Sequence, residues 1–395
     1  MMPSKSRQPR HFNIIFDSDR QRVPWPDNPT NCHPPPDGQS GTVRGTLVRV
    51  AVIPGDGVGP EVIAEGLKAV RAVTDGMSFE TFPWGCAYYK AEGMMMPMNG
   101  LELLRPFDAI YLGAVGWPTV PDDVSLWGLL LPIRKGFQQY VNLRPVRLLA
   151  GVQSPLLGRG PADIDMLFVR ENTEGEYSGA GGRVHVGTAG EVAVEVPVFT
   201  RMAMERTIRF AFERAQERRG HLISVTKSNA SRYTYPLWDA VTRDVGEAYS
   251  DVRIERVHVD AMAARMVLHP ESIDVVVASN LFADILTDLG AAIQGGLGLA
   301  ASGNLNPEKR YPSMFEPVHG SAPDIAGSGV ANPVGATSSA ALMLRHLGLT
   351  EAGERIELAI ASVLRDGRVL TRDLGGSAST AAMGDAIVAA TKFRR

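Results

Sequence analysis

LVRVAVIPGDGVGPEVIAEGLKAV, residues 47–70, is the stretch on which the fold turns. A short β-branched run ends in a glycine-rich turn, and Pro60 then opens a pattern in which Val62, Ile63, Leu67 and Val70 fall near helical spacing. Strand, glycine turn and helix in that order invite a Rossmann reading. The turn Gly55-Asp56-Gly57-Val58-Gly59 does not support it, because the position required for the last glycine of G-x-G-x-x-G is Pro60. Nor does a clear acidic residue close a second strand about 20 residues on. The unit is α/β, but not a Rossmann site.

Outward from it, further apolar strands are expected at 108–115, 163–170, 221–227 and 272–279, alternating with helical patterns such as 201–217 and 281–293. That alternation predicts an α/β protein with a largely parallel sheet. The segment 176–198, with glycines at its turns and alternating valines, reads as a β-hairpin arm. From Ala336 onward the tail reads as helices, and no internal repeat is evident.

The bulk properties exclude several classes. The 395 residues are 44% hydrophobic and 21% charged with a net charge of −3, ordinary for a globular protein and without pull toward nucleic acid or an anionic membrane. Two cysteines, Cys32 and Cys86, cannot build a disulfide scaffold or a Cys-based zinc site, and suit a reducing cytoplasm. No apolar run approaches the ~20 residues needed to span a bilayer. Residues 1–46, with PWPDNPTNCHPPPDGQSG, have neither a helical nor a strand period and are expected to be a disordered leader.

Four groups of residues carry chemistry. In NLFADILTDL, Asp284 and Asp288 stand at i, i+4, so both carboxylates share a helix face and repel each other without a cation. Their helix follows VVVAS, at the carboxyl end of a strand, where open α/β sheets place ligands; hard carboxylate oxygens there suit Mg²⁺ or Mn²⁺. Arg134 and Arg144 in LPIRKGFQQYVNLRPVR and Arg170 in RENTEGEYSG supply planar forks that hold carboxylates bidentately, the pattern of a dicarboxylate site. Tyr177, in ENTEGEYSG, and Lys227, which ends the strand-like run HLISVTK, are candidate proton donor and acceptor. Finally EPVHGSAPDIAGSGVANP, 316–333, lets the backbone at Gly320 and Ser321 approach an anion, with Asp324 placed to accept hydrogen bonds from a diol such as a ribose.

PGDGVGPE, IRK…NLRP, RENTEGEYSG, NLFADILTDL and EPVHGSAPDIAG together, and in this order, resemble the β-decarboxylating dehydrogenases, that is, the isopropylmalate, isocitrate and tartrate/D-malate enzymes. The resemblance runs from about Leu47 to the C-terminus. It implies an isopropylmalate dehydrogenase-like fold of two α/β domains about a cleft. One domain would comprise 47–140 with 295–395 and bind NAD. The other, 141–294, would hold substrate, metal and the dimer interface, with the arm at 176–198 serving dimerisation. It implies Asp260 as a third metal ligand, contributed across a homodimer with shared active sites, and Lys227 and Tyr177 as base and acid. Glu316, His319, Gly320, Ser321, Ala322, Asp324, Ile325 and Asn332 would bind cofactor, with Asp324-Ile325 selecting NAD. K⁺ is carried as a further candidate cofactor.

The branch is read from SLWGLLLPIRKGFQQYVNLRPVRL and TKSNASRYTYPLWD, which look most like the tartrate/D-malate enzymes. Isopropylmalate enzymes typically carry a glutamate where Trp127 stands; a bulky uncharged indole beside Leu130 favours a small C3 substituent on the substrate. The expected reaction is conversion of D-malate to pyruvate and CO₂, or dehydrogenation and decarboxylation of tartrate. Isopropylmalate oxidation and a non-catalytic regulatory subunit are the alternatives. Ala283 in place of a usual glycine, and SRYTY after Asn229, depart from the family pattern and bear on substrate preference.

Overall fold

The computed structural model describes residues 47–392, so the expected leader and Cys32 lie outside the described residues. Twelve strands are present among them: β1 Val48–Gly55, β2 Met77–Thr81, β3 Ala109–Ala114, β4 Val141–Arg147, β5 Asp165–Glu171, β6 Gly175–Val184, β7 Val192–Val198, β8 His221–Thr226, β9 Arg253–His258, β10 Val275–Ala278, β11 Ala301–Leu305 and β12 Ser313–Pro317. Ten of them form one sheet in the order β2-β1-β3-β12-β11-β4-β5-β10-β8-β9, and β6 pairs with β7 as a separate hairpin.

The expectation of a largely parallel sheet needs a correction at its centre. Both wings are parallel, but β11 runs antiparallel to β12 and β4, and β4 antiparallel to β5. The reason is connection length. Only the seven residues 306–312 separate β11 from β12, too few for the crossover of a dozen or more residues that parallel neighbours need. The antiparallel middle brings residues from distant parts of the chain side by side, and the site is built on it.

Helices cover both faces, which is why β3, β8 and β10 are buried along their whole length and read as continuous apolar runs. Val62 and Val70 of the helix Gly59–Val73 share a buried cluster with Tyr111, Phe315, Met343 and Ile360. A second cluster joins Ile223, Val276, Met262 and Leu286, so the helices Val259–Leu268 and Asn280–Ile293 pack on the β8/β10 wing. A third, with Ile53, Leu112, Leu129, Ile133 and Phe137, anchors the helix Leu131–Gly136 beside β1 and β3.

The glycine-rich turn after β1 is a joint between loops. Asp56 accepts the backbone N–H of Cys86 at 2.8 Å and of Gly116 at 2.9 Å, and Val58 donates its N–H to the Ser321 carbonyl at 2.9 Å. Gly57 has φ +59°, and a methyl group there would stand 1.9 Å from the Ser321 oxygen. The opening motif therefore seats the 316–333 loop. On the hairpin, Val184, Val192, Val194, Val196 and Val198 are all exposed, an apolar surface that no described part of the chain covers. No helix among the described residues is long and apolar enough to cross a membrane.

Candidate active site

Three arginines converge at the middle of the sheet, and each is held by a different neighbour. Arg134, on the helix Leu131–Gly136, donates from Nη2 to Glu316 Oε1 of β12 at 2.7 Å, a pair in which both side chains are nearly buried. Arg144 of β4 donates from Nε to Asn142 Oδ1 at 2.7 Å and from Nη1 to Thr287 Oγ1 at 2.6 Å. Arg170, near the end of β5, straddles Asn280 Oδ1 with Nε and Nη2 at 2.9 and 2.7 Å, and its Nη1 donates to Asp284. A buried asparagine links the first two. Asn304 of β11 accepts from Asn142 Nδ2 and Asn172 Nδ2 at 2.9 Å each, and donates to Glu316 Oε1 at 2.7 Å.

Asp284 is the focus of this cluster. Besides the bond from Arg170, Arg144 stands 3.4 Å from its Oδ1 and the Tyr177 hydroxyl donates to its Oδ2 at 3.2 Å. Burial raises the Asp284 carboxyl, but Arg170, Arg144 and Arg134 outweigh it and hold the group below its ordinary value. Asp288, one turn on and 3.8 Å from Arg144, goes the other way: partial burial raises it beyond what Arg144 recovers, and Asp284 adds to the rise. Burial and the neighbouring arginines lower Arg144 to about 10, which leaves it charged at neutral pH. Tyr177 is raised by burial and by Asp284, so its hydroxyl keeps its proton. Arg134 Nε is buried without a partner, a donor left over for an anion.

Apart from Glu316, the other anticipated residues lie outside this cluster. Lys227, at the end of β8, pairs with Asp260 at 2.5 Å; both side chains are partly or largely exposed. Among the described residues neither bonds to the arginine–aspartate cluster, and no three carboxylate, histidine or cysteine groups stand close enough to hold a metal. Trp127 and Leu130 lie in a wide π-helical turn, Leu126–Leu130, with the indole exposed on one side. In the 316–333 loop, Glu316 is turned inward to Arg134, and Asn332 caps the next helix through Val334 N–H at 3.0 Å while donating to Asp373 at 2.9 Å. His319 pairs Nδ1 with the Gly320 carbonyl at 3.0 Å; burial lowers its imidazole, and Nε2 is buried without a partner. Ser321 forms the seat against Gly57 and Val58, Ala322 follows at φ +41°, and Ile325 is half-buried. Asp324 is exposed and makes no hydrogen bond or ion pair among the described residues.

The sequence signature of the isocitrate/isopropylmalate dehydrogenases matches residues 49–387. The chain belongs to that family. A probable tartrate dehydrogenase/decarboxylase of Agrobacterium vitis is 50% identical over 345 residues, covering 86% of this chain and 96% of the relative. The decarboxylating D-malate dehydrogenase of Escherichia coli is 51% identical, over 86% of this chain and 97% of its own. A 3-isopropylmalate dehydrogenase of Thermobifida fusca is also 51% identical, over 86% and 96%. Among solved structures, isocitrate dehydrogenase of Methylococcus capsulatus superposes with a TM-score of 0.81 at 34% identity, covering 88% of this chain and all of that one. The family resemblance and the fold it implies therefore hold. Asn280, Asn142, Asn304 and Lys135 were not anticipated by sequence reasoning. A polar residue inside an otherwise apolar strand, as in VNLRP and SGNL, was the signal that could have found two of them.

Proposed function

We propose that the chain is an NAD- and divalent-metal-dependent enzyme that oxidatively decarboxylates a small 2-hydroxy dicarboxylate, D-malate to pyruvate and CO₂ or a tartrate isomer. The cluster of three buried arginines around Asp284 and Glu316 carries the reading. Arg134 is paired with Glu316 while Arg144 and Arg170 share Asp284, so three buried guanidinium groups outnumber the two carboxylates bonded to them, and the carboxylates of a substrate would supply the further negative charge. The relatives named for tartrate and D-malate support the choice of substrate.

The donor set fits both absent groups. Asp284 and Asp288 offer hard oxygens on one helix face, and Asp260 of the partner subunit would complete them. His319 Nε2 and the free Asp324 carboxylate are an orphaned acceptor and a diol partner on one loop, as an adenosine group requires. When bound, the metal supplies the electron sink for decarboxylation and NAD accepts the hydride. The chain's own part is binding and proton transfer. Arg134, Arg144 and Arg170 orient the two carboxylates. Lys227, reaching a neighbouring active site together with Asp260, takes the hydroxyl proton, and Tyr177, protonated and beside Asp284, returns one to the enolate carbon. Trp127 and Leu130 wall the space beside C3. We assign 47–140 with 295–395 to the cofactor side and 141–294 to the substrate side, in a homodimer joined by the hairpin.

The Thermobifida relative gives isopropylmalate dehydrogenase a place as second reading. Steady-state kinetics with NAD or NADP and Mn²⁺ across D-malate, the tartrate isomers, 3-isopropylmalate and isocitrate separate the two. The expected result is the highest kcat/KM for D-malate or a tartrate with NAD. A decisive preference for isopropylmalate would overturn the substrate, and equal use of NADP would overturn the role of Asp324.

A further inference from the structure

Lys135 follows Arg134 directly, yet its ammonium points away from the arginine cluster. Nζ donates to the carbonyl of Tyr177 at 2.9 Å and to that of Ser178 at 3.0 Å, and it lies 4.9 Å from the centre of the Trp127 ring. An ammonium has three N–H donors, and two carbonyls and one aromatic face account for all three. Burial lowers its pKa, only partly offset by Glu171, so these contacts bear the cost of desolvating the charge.

The far rim of the indole is confined as well. Gly179, in β6 with φ +83°, faces it, and a methyl group at that position would lie 2.7 Å from Trp127 Cη2. The indole thus has an ammonium near its ring and bare backbone at its outer edge. Without those limits, a partly exposed tryptophan on a five-residue π-turn would have several rotamers open to it. The same ammonium fixes the backbone of Tyr177, whose hydroxyl meets Asp284.

We infer that Lys135 is a positioning residue for substrate specificity: it locks Trp127 against the hairpin root at Gly179, and so sets how large a C3 substituent the site admits. The inference rests on the proposed dicarboxylate reading, with Trp127 as the wall beside C3. Lys135 ties that wall to the residue that returns the proton, so pocket size and proton delivery are adjusted by one contact.

The test is the ratio of kcat/KM for D-malate to that for 3-isopropylmalate, with NAD and Mn²⁺, in the full-length enzyme and four variants. Lys135→Met keeps the apolar stem and should lower the ratio about ten-fold, the scale of a change of a methyl group or two in a pocket. It should do so by lowering KM for isopropylmalate while leaving KM for NAD unchanged. Lys135→Arg, which can make the same three contacts, should restore the ratio. Gly179→Ala displaces the indole with Lys135 intact and should shift the ratio as well, and Trp127→Leu should lower it most. Equal losses for both substrates in Lys135→Met would reduce Lys135 to a structural tie and overturn the inference. A shift with Trp127→Leu but none with Lys135→Met or Gly179→Ala would overturn it while leaving the substrate reading in place. An unchanged ratio in Trp127→Leu would sink both.

Discussion

The two halves of the candidate active site are built on opposite plans. The arginine half is closed: Arg134, Arg144 and Arg170 are buried, each pinned by an acceptor, and Asp284 draws their charge together. The lysine half is open: Lys227 and Asp260 meet only each other at the edge of the same chain. Charges that are buried must be organised within one chain during folding, because an unpaired buried ion costs several kcal/mol. Charges left near water can wait for a ligand or a second subunit. On the proposed function, the contrast puts preorganisation into recognising carboxylates and leaves the lysine half to be completed by assembly.

The largest expected effect comes from the open half. Lys227→Met should lower kcat by about 10³-fold, the range for loss of a positioned acid–base group, with little change in unfolding midpoint because the side chain is partly exposed. Mixing that variant with Asp284→Asn, unfolding and refolding together, should restore about a quarter of wild-type activity if sites are shared in a two-fold dimer. No recovery would place both halves in one chain. In the closed half, Glu316→Ala leaves Arg134 buried without its partner and should cost about 3 kcal/mol in urea unfolding. A loss under 1 kcal/mol would show that the cluster tolerates an uncompensated charge. A smaller effect joins the halves: saturating Mn²⁺ at about 100 times its Kd should stabilise the enzyme by roughly 2.7 kcal/mol. Asp288→Asn and Asp260→Asn should each abolish most of that thermal shift.

Much of this was legible in the sequence because it is local. β1, β3, β5, β8 and β10 announce themselves as apolar runs, the helix Asn280–Ile293 by its period, and the hairpin by alternating valines between glycines. The antiparallel centre was not legible. β4 looks like any short strand, and nothing near Asn142 reveals that its partner is Asn304, 162 residues away. The same holds for Asn280, which lies just before the expected helix 281–293 and orients Arg170 from the helix's first position. Glu316 could be assigned to a loop by its motif, but its burial against Arg134 follows only from the pairing of β12 with β11. Lys135 was hidden differently: next to an arginine of interest, it passes for a second surface charge.

The hairpin β6–β7 has a bearing on how the protein lives in a cell. Its uncovered valines and unpaired strand edges are attractive to any exposed strand, so a single chain released at low concentration carries its own hazard of sticking to the wrong neighbour. Pairing with a sister chain, as in the proposed homodimer, would remove that hazard by mass action and tie lifetime to abundance. Dilution, or a slow supply of new chains, would then shorten the protein's survival before it touched the chemistry.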